Sequence, residues 1–65
     1  MMLKDILRRL RDGTEINAYY INNDGERVAV YTDLDGKAPA FVRNADVYRI
    51  GVSDNGVLEC EVEDP

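Results

Sequence analysis

The chain is predicted to form one α+β domain over residues 1–65. It comprises an N-terminal helix over residues 1–12 and a four- to five-stranded antiparallel meander sheet over residues 14–64. Three observations predict this fold. Apolar residues first recur at helical spacing, the period then changes to two, and glycine-containing turn signals separate the later segments.

The predicted helix carries its apolar side chains on a single stripe. Leu3, Ile6, Leu7 and Leu10 fall at positions i, i+3, i+4 and i+7. Gly13 follows, where a residue of left-handed conformation commonly ends a helix. A helix of about 12 residues is marginally stable alone. We therefore expect the stripe to dock on the sheet.

Residues 15–21 and 26–32 are predicted to pair as a first hairpin, because both are rich in aromatic and β-branched residues. A three-residue loop over residues 23–25 gives one register. In that register Tyr19, Ile21 and Tyr31 share one face, while a two-residue Asp24-Gly25 loop would regroup the faces. The pairs predicted with the three-residue loop are Tyr20 with Val28, Ala18 with Val30, and Ile16 with Thr32.

A third turn signal, residues 33–36, leads into a weaker strand over residues 37–43. Pro39 has no N–H to donate to a neighbouring strand, so we expect this segment at an edge of the sheet, with Phe41 turned inward.

A second hairpin is predicted between residues 46 and 64, around the loop Asp54-Asn55-Gly56. A slip of one residue would mix apolar with acidic side chains on one face, which fixes the register. The predicted inner pairs are Val52 with Leu58, Ile50 with Cys60, and Tyr48 with Val62. The predicted outer pairs are Gly51 with Glu59, Arg49 with Glu61, and Val47 with Glu63.

Two architectures satisfy this element order. One is an open sheet with the helix on one face. The other is a small, partly closed five-stranded barrel with the helix at one end. The second resembles the Sm-like and SH3-like layout of an N-terminal helix followed by five short strands. The resemblance is architectural only, because the glycine-rich strand, the Asp-x-x-x-Asn loop and the Arg-Gly step of Sm proteins are not properly present, and Arg49-Ile50-Gly51 matches that step only loosely.

Composition argues against several functional classes. The chain has a net charge of −5, no histidine and one cysteine, Cys60, so it offers neither an intramolecular disulfide nor the common zinc ligand sets. Aligning Gly36 with an EF-hand loop puts Tyr31 and Val42 at ligand positions, so that pattern fails. We predict no enzyme activity, no cofactor and no metal. The single cysteine and the lack of a signal peptide or long apolar run predict a cytoplasmic protein outside the membrane.

One short helix cannot cover both apolar faces of the first hairpin, so either the sheet curls into a barrel or the second face is an interface. We predict that the second face binds protein. The candidate interface combines three apolar residues with an acidic row and its arginine: Tyr19, Ile21, Tyr31, Arg49, Glu59, Glu61 and Glu63. We predict a small acidic, non-enzymatic protein-interaction module that forms homo-oligomers. It would occupy the basic surface of a partner such as a nucleic-acid-binding protein, as accessory or inhibitor proteins of phages and mobile elements do.

The alternative is a small nucleic-acid-binding barrel. It would use Arg8, Arg9 and Arg11 of the basic helix together with exposed tyrosines as stacking platforms. The acidity of the remaining chain argues against direct nucleic-acid binding, which depends on neutralising phosphates.

Overall fold

A computed structural model describes residues 1–11 and 13–64 of the chain. Within these residues, two short α-helices and a 3-10 turn accompany a four-stranded sheet. The elements are α1 (Leu3–Leu7), β1 (Glu15–Ile21), β2 (Arg27–Leu34), the 3-10 turn Asp35–Lys37, α2 (Ala40–Arg43), β3 (Val47–Val52) and β4 (Leu58–Val62).

The sheet joins two antiparallel hairpins through a parallel pair of strands at its centre. The strand order is β2-β1-β4-β3, and β1 lies parallel to β4 with Ile16 beside Leu58 and Ala18 beside Cys60. The predicted α+β class is confirmed. The prediction of antiparallel pairing throughout is wrong, and the sheet is open, with β2 and β3 at its edges, rather than closed as an SH3- or Sm-like barrel.

The N-terminal stripe packs as predicted, although the α-helix is shorter than the 1–12 prediction. Helix α1 ends at Leu7, and the chain continues in tight turns in which the Leu10 N–H donates to the Leu7 carbonyl at 3.1 Å. Leu3 and Leu7 are buried, while Ile6 and Leu10 pack partly buried against the same core. Residue 12, the predicted end of the helix, lies outside the described residues.

The predicted strand over residues 37–43 is wrong, because the segment forms the 3-10 turn and α2. Pro39 directly precedes the first helical residue, where its fixed φ favours a helix start. Ala38 and Val42, four positions apart, are buried in the core. Phe41, predicted to face inward, is 60% exposed.

The first hairpin follows the predicted register only near its loop. Tyr20 pairs with Val28 as predicted, but a β-bulge opposite Ala18 and Tyr19 adds one residue to β2. The predicted pairs Ala18–Val30 and Ile16–Thr32 are therefore wrong. Ala18 pairs with Tyr31, and Ile16 with Asp33. The bulge turns Tyr31 to the helix side of the sheet, where it packs against the core.

The second hairpin follows the predicted register from its loop to the pair Arg49–Glu61. The Ser53 N–H donates to the Val57 carbonyl at 2.9 Å, and the pairs of Val52, Gly51 and Ile50 are as predicted. A second bulge at Tyr48 then places Val47, instead of Tyr48, opposite Val62. The predicted pairs Tyr48–Val62 and Val47–Glu63 are wrong for that reason.

The core lies between the two helices and the central strands. Its buried members are Leu3, Leu7, Ile16, Ala18, Ala38, Val42, Leu58, Cys60 and Val62. The predicted inward position of Cys60 is confirmed, and burial raises the pKa of its thiol from 9.0 to about 11.

Neighbouring residues of α2 provide a direct test of the helical assignment. We expect Val42→Ala to lower the free energy of unfolding by about 2 kcal/mol, because it removes two buried methyl groups and leaves a cavity. Phe41→Ala should change it by less than about 0.5 kcal/mol, because the ring is largely in solvent. Urea unfolding followed by circular dichroism measures both. A larger loss for Phe41→Ala would favour the strand with Phe41 inward.

The raised pKa of Cys60 predicts a specific loss of stability in alkali. Above pH 9 the thiol ionises in the unfolded chain but stays neutral in the folded one until about pH 11. The contribution of the buried neutral thiol to the free energy of unfolding is therefore complete below pH 9, and it falls by about 2 to 3 kcal/mol as the pH rises to 11. Urea unfolding at several pH values should show this fall in the wild type relative to Cys60→Ala, which shares all other titrating groups. Parallel pH profiles would contradict it.

Candidate functional site

The face of the sheet opposite the helices, here called the open face, is organised around Tyr19. This side chain is only 9% exposed. The guanidinium carbon of Arg27 lies 4.3 Å from the centre of its ring, and Arg27 Nη1 lies 3.7 Å from Glu59 Oε2. A cation over an aromatic face is attracted by the ring quadrupole, and the arginine stem also shields the ring from water. Tyr19 is therefore covered within its own chain.

The predicted acidic row is present on the open face, but two of its three members have arginine partners. Glu59 pairs with Arg27, and Arg49 Nε lies 3.8 Å from Glu61 Oε1. Glu63 lies beyond the end of β4, and its Oε1 accepts a long hydrogen bond of 3.5 Å from the Asp46 N–H. These contacts offset much of the negative charge that the sequence suggested for this face.

The structure does not bring Tyr31 to the predicted interface. Tyr31 lies on the helix side, and its hydroxyl donates to the Leu34 carbonyl at 2.6 Å. Burial and then the nearby carboxylates of Asp33 and Asp35 raise the pKa of its phenol. Ile21, which ends β1, is 40% exposed and stays available.

The arginines of the nucleic-acid alternative lie at and beyond the end of α1. Arg8, Arg9 and Arg11 are exposed, and Arg8 Nη2 lies 3.6 Å from Asp5 Oδ1. Because α1 packs on the helix side, the sheet separates this cluster from Tyr19 on the open face.

Sequence reasoning missed an exposed row of apolar residues on the edge strand β3. Tyr48, Ile50 and Val52, here called the apolar edge row, are 63%, 52% and 70% exposed. Ile50 and Val52 pair with the buried Cys60 and Leu58, so they belong to the helix side of the sheet, whereas the bulge takes Tyr48 out of this alternation. The helices cover the central strands and leave this edge bare.

The sequence carries a signal for this exposed row. One short helix is too narrow to cover both faces of the first hairpin. The same limit applies to the inner row of the second hairpin, which competes for the same few helical side chains.

The backbone of β3 is also available along part of its outer edge. The Ser53 N–H points toward β4, and alternation then turns the N–H and C=O groups of Ile50 and Val52 away from it. At the other end of β3, the Val47 N–H donates to the Met1 carbonyl at 2.8 Å. The free stretch therefore runs from the bulge at Tyr48 to Val52.

The described residues form no cavity and no cluster of three or more candidate metal ligands. Nor does any helix in this part of the chain combine the length and apolar character needed to cross a membrane. Comparison with protein-family models, curated proteins and solved structures finds no match.

The covering of Tyr19 by Arg27 is expected to appear as an energetic coupling. A double-mutant cycle combining Arg27→Ala with Tyr19→Leu should give a coupling energy of about 0.5 to 1 kcal/mol, measured by urea unfolding. Leucine is the replacement because it keeps apolar volume but removes the aromatic face. The same cycle with Arg43→Ala is the control, since Arg43 is exposed in α2. Equal coupling in both cycles would contradict the stacking.

Proposed function

We propose that this chain is a small, non-enzymatic protein-binding module that takes an extended segment of polypeptide onto β3. The apolar edge row is the observation that carries the proposal. Three large side chains stand in solvent on an edge strand, and no other strand of the described residues pairs with the outward backbone groups of Ile50 and Val52.

Free edge strands favour unwanted pairing, and proteins commonly protect them with lysine, proline or a covering element. Between Tyr48 and Val52, β3 contains only Arg49 and the bulge as such features. An incoming strand would gain main-chain hydrogen bonds, while its alternate apolar residues would cover Ile50 and Val52. Backbone pairing would supply affinity, and the side-chain pattern would supply selectivity.

The geometry supports this surface better than the interface predicted from sequence. A partner docking on the open face would meet Tyr19 beneath Arg27 and would have to displace arginines to reach Glu59 and Glu61. The net charge of −5 still favours a basic partner through long-range attraction. In the proposed mechanism that attraction accelerates encounter, and β3 forms the contact.

The proposal of no catalytic role is supported by the state of the available groups. The chain lacks histidine, the commonest acid–base residue in enzymes. The Cys60 thiol is buried, and its raised pKa keeps it in the unreactive neutral form near pH 7. The nucleic-acid alternative is less well supported, because neither Tyr19 nor Tyr31 presents a free ring beside the arginines that follow α1.

Selection of peptides from a random displayed library tests strand addition to β3 whatever the identity of the natural partner. We expect enriched peptides to carry β-branched or aromatic residues at alternate positions. Val52→Lys should weaken their binding at least about tenfold, because it removes apolar burial at the edge. Ile21→Lys, an exposed apolar residue on β1, is the matched control. No enrichment, or equal binding to both variants, would contradict the proposal.

A further inference from the structure

We infer that the strand received by β3 is β3 of a second copy, in an antiparallel pairing centred on Ile50. This inference rests on the proposed function and names the partner. A two-fold axis through Ile50 would join two four-stranded sheets into one continuous sheet, so that each copy closes the open edge of the other.

The backbone of Ile50 suits a position on that axis. Its N–H and C=O groups point away from β4, so Ile50 and its copy would exchange two hydrogen bonds as a directly opposed pair. The bulge at Tyr48 and the Met1–Val47 hydrogen bond limit the pairing at one end, while the loop at Asp54 limits it at the other.

Side-chain chemistry selects this register over its neighbours. Centring on Ile50 keeps both helix-side apolar residues of β3, Ile50 and Val52, within the paired stretch and sets each Val52 beside the bulge of the second copy. Centring on Arg49 would oppose two arginines. Centring on Gly51 or Val52 would bring the Asp54 carboxylate opposite Tyr48 or Ile50, respectively.

In the same register, the open faces of the two copies would bring groups of opposite charge together. Arg49, 83% exposed, would lie opposite Gly51 of the second copy. A Cβ placed on Gly51 would meet no heavy atom within 4 Å, so the space above it is free. Glu59 lies directly beyond Gly51 in the β3–β4 ladder. The Arg49 guanidinium would turn from its own Glu61, cross the second copy's Gly51 and join Arg27 at the second copy's Glu59, twice in each dimer.

The contact is small, so the dimer should be weak. Pairing over about five residues falls in the class of interfaces below roughly 1,200 Å². We expect a Kd of roughly tens to hundreds of micromolar. Sedimentation equilibrium between about 10 µM and 1 mM covers this range. The average mass of the full chain should rise with concentration from 7.4 kDa toward twice that value.

The first pair of variants tests the proposed two-fold axis by placing a charged residue on it. Ile50→Lys should keep the mass at 7.4 kDa throughout, because two ammonium groups would face each other. Phe41→Lys, an equally drastic change at an exposed residue of α2, should dimerise like the wild type. Circular dichroism verifies that both variants fold. A wild-type mass constant at 7.4 kDa, or equal loss in both variants, would overturn the inference.

Arg49→Glu tests the proposed contact across Gly51. It should raise the Kd about tenfold, and the wild-type dimer should weaken as salt screens the charges. Arg43→Glu in α2 makes the same charge change away from the edge and should leave the Kd unchanged. Equal effects of the two substitutions would contradict the contact.

Disulfide trapping tests the register itself. In a Cys60→Ala background, Ile50→Cys places two thiols opposite each other, with Cα atoms about 5.5 Å apart, which a disulfide can span. In Val52→Cys the two thiols would be separated by roughly 13 Å along the strand. With oxidised glutathione, the first variant should cross-link at least tenfold faster. Equal rates would overturn the register centred on Ile50.

Peptide selection separates this inference from the proposed function. If the chain stays monomeric but Val52-sensitive peptides are selected, β3 receives a strand from another protein and the second-copy inference is wrong. If neither dimers nor such peptides are found, both fail. If dimers form and selected peptides dissociate them, both are supported, because the two ligands compete for one edge.

Discussion

The parallel pairing of β1 with β4 is the interaction on which the other features depend. Each hairpin alone would be a two-stranded unit of marginal stability in water. Their junction aligns Ile16 and Ala18 beside Leu58 and Cys60, and all four are buried beneath the helices. The central pair thereby supplies much of the apolar surface that holds together a chain too short for a large core.

The chain has few residues outside the sheet to cover its two faces, and the two faces are covered in different ways. On the helix side, α1 and α2 span only five and four residues and lie over the central strands, so Ile50 and Val52 on β3 stay exposed. On the open face, long charged side chains take the place of a second layer, with Arg27 over Tyr19 and Arg49 beside Glu61. The small number of residues outside the sheet thus leaves the open face shielded within the chain and the apolar residues of β3 exposed to solvent.

Local chemistry made much of this fold predictable. The Asp54-Asn55-Gly56 loop and the alternation beyond it correctly predicted the pairs from Val52 to Arg49 and the burial of Cys60. Prediction failed where no local signal exists. Neither bulge has a marked sequence, and the one in β2 carried Tyr31 away from Tyr19. Alternation over a short run is also hard to distinguish from a single helical turn. The predicted strand with Phe41 inward is therefore a helix in which Val42 is the buried residue. The candidate site depended on these same details, so the predicted acidic row was found and the apolar edge row was missed.

The central pairing also has a consequence for the order of folding. Ile16 and Leu58 are neighbours in the sheet but lie 42 positions apart in the chain. Hairpins of this size form within about 1 to 10 µs, whereas contacts between distant segments require closure of a long loop first. We therefore expect the docking of two preformed hairpins to be the slow step of folding. Until it occurs, both strands that become the centre of the sheet have an exposed edge, and a nascent chain must complete β4 before its core can close.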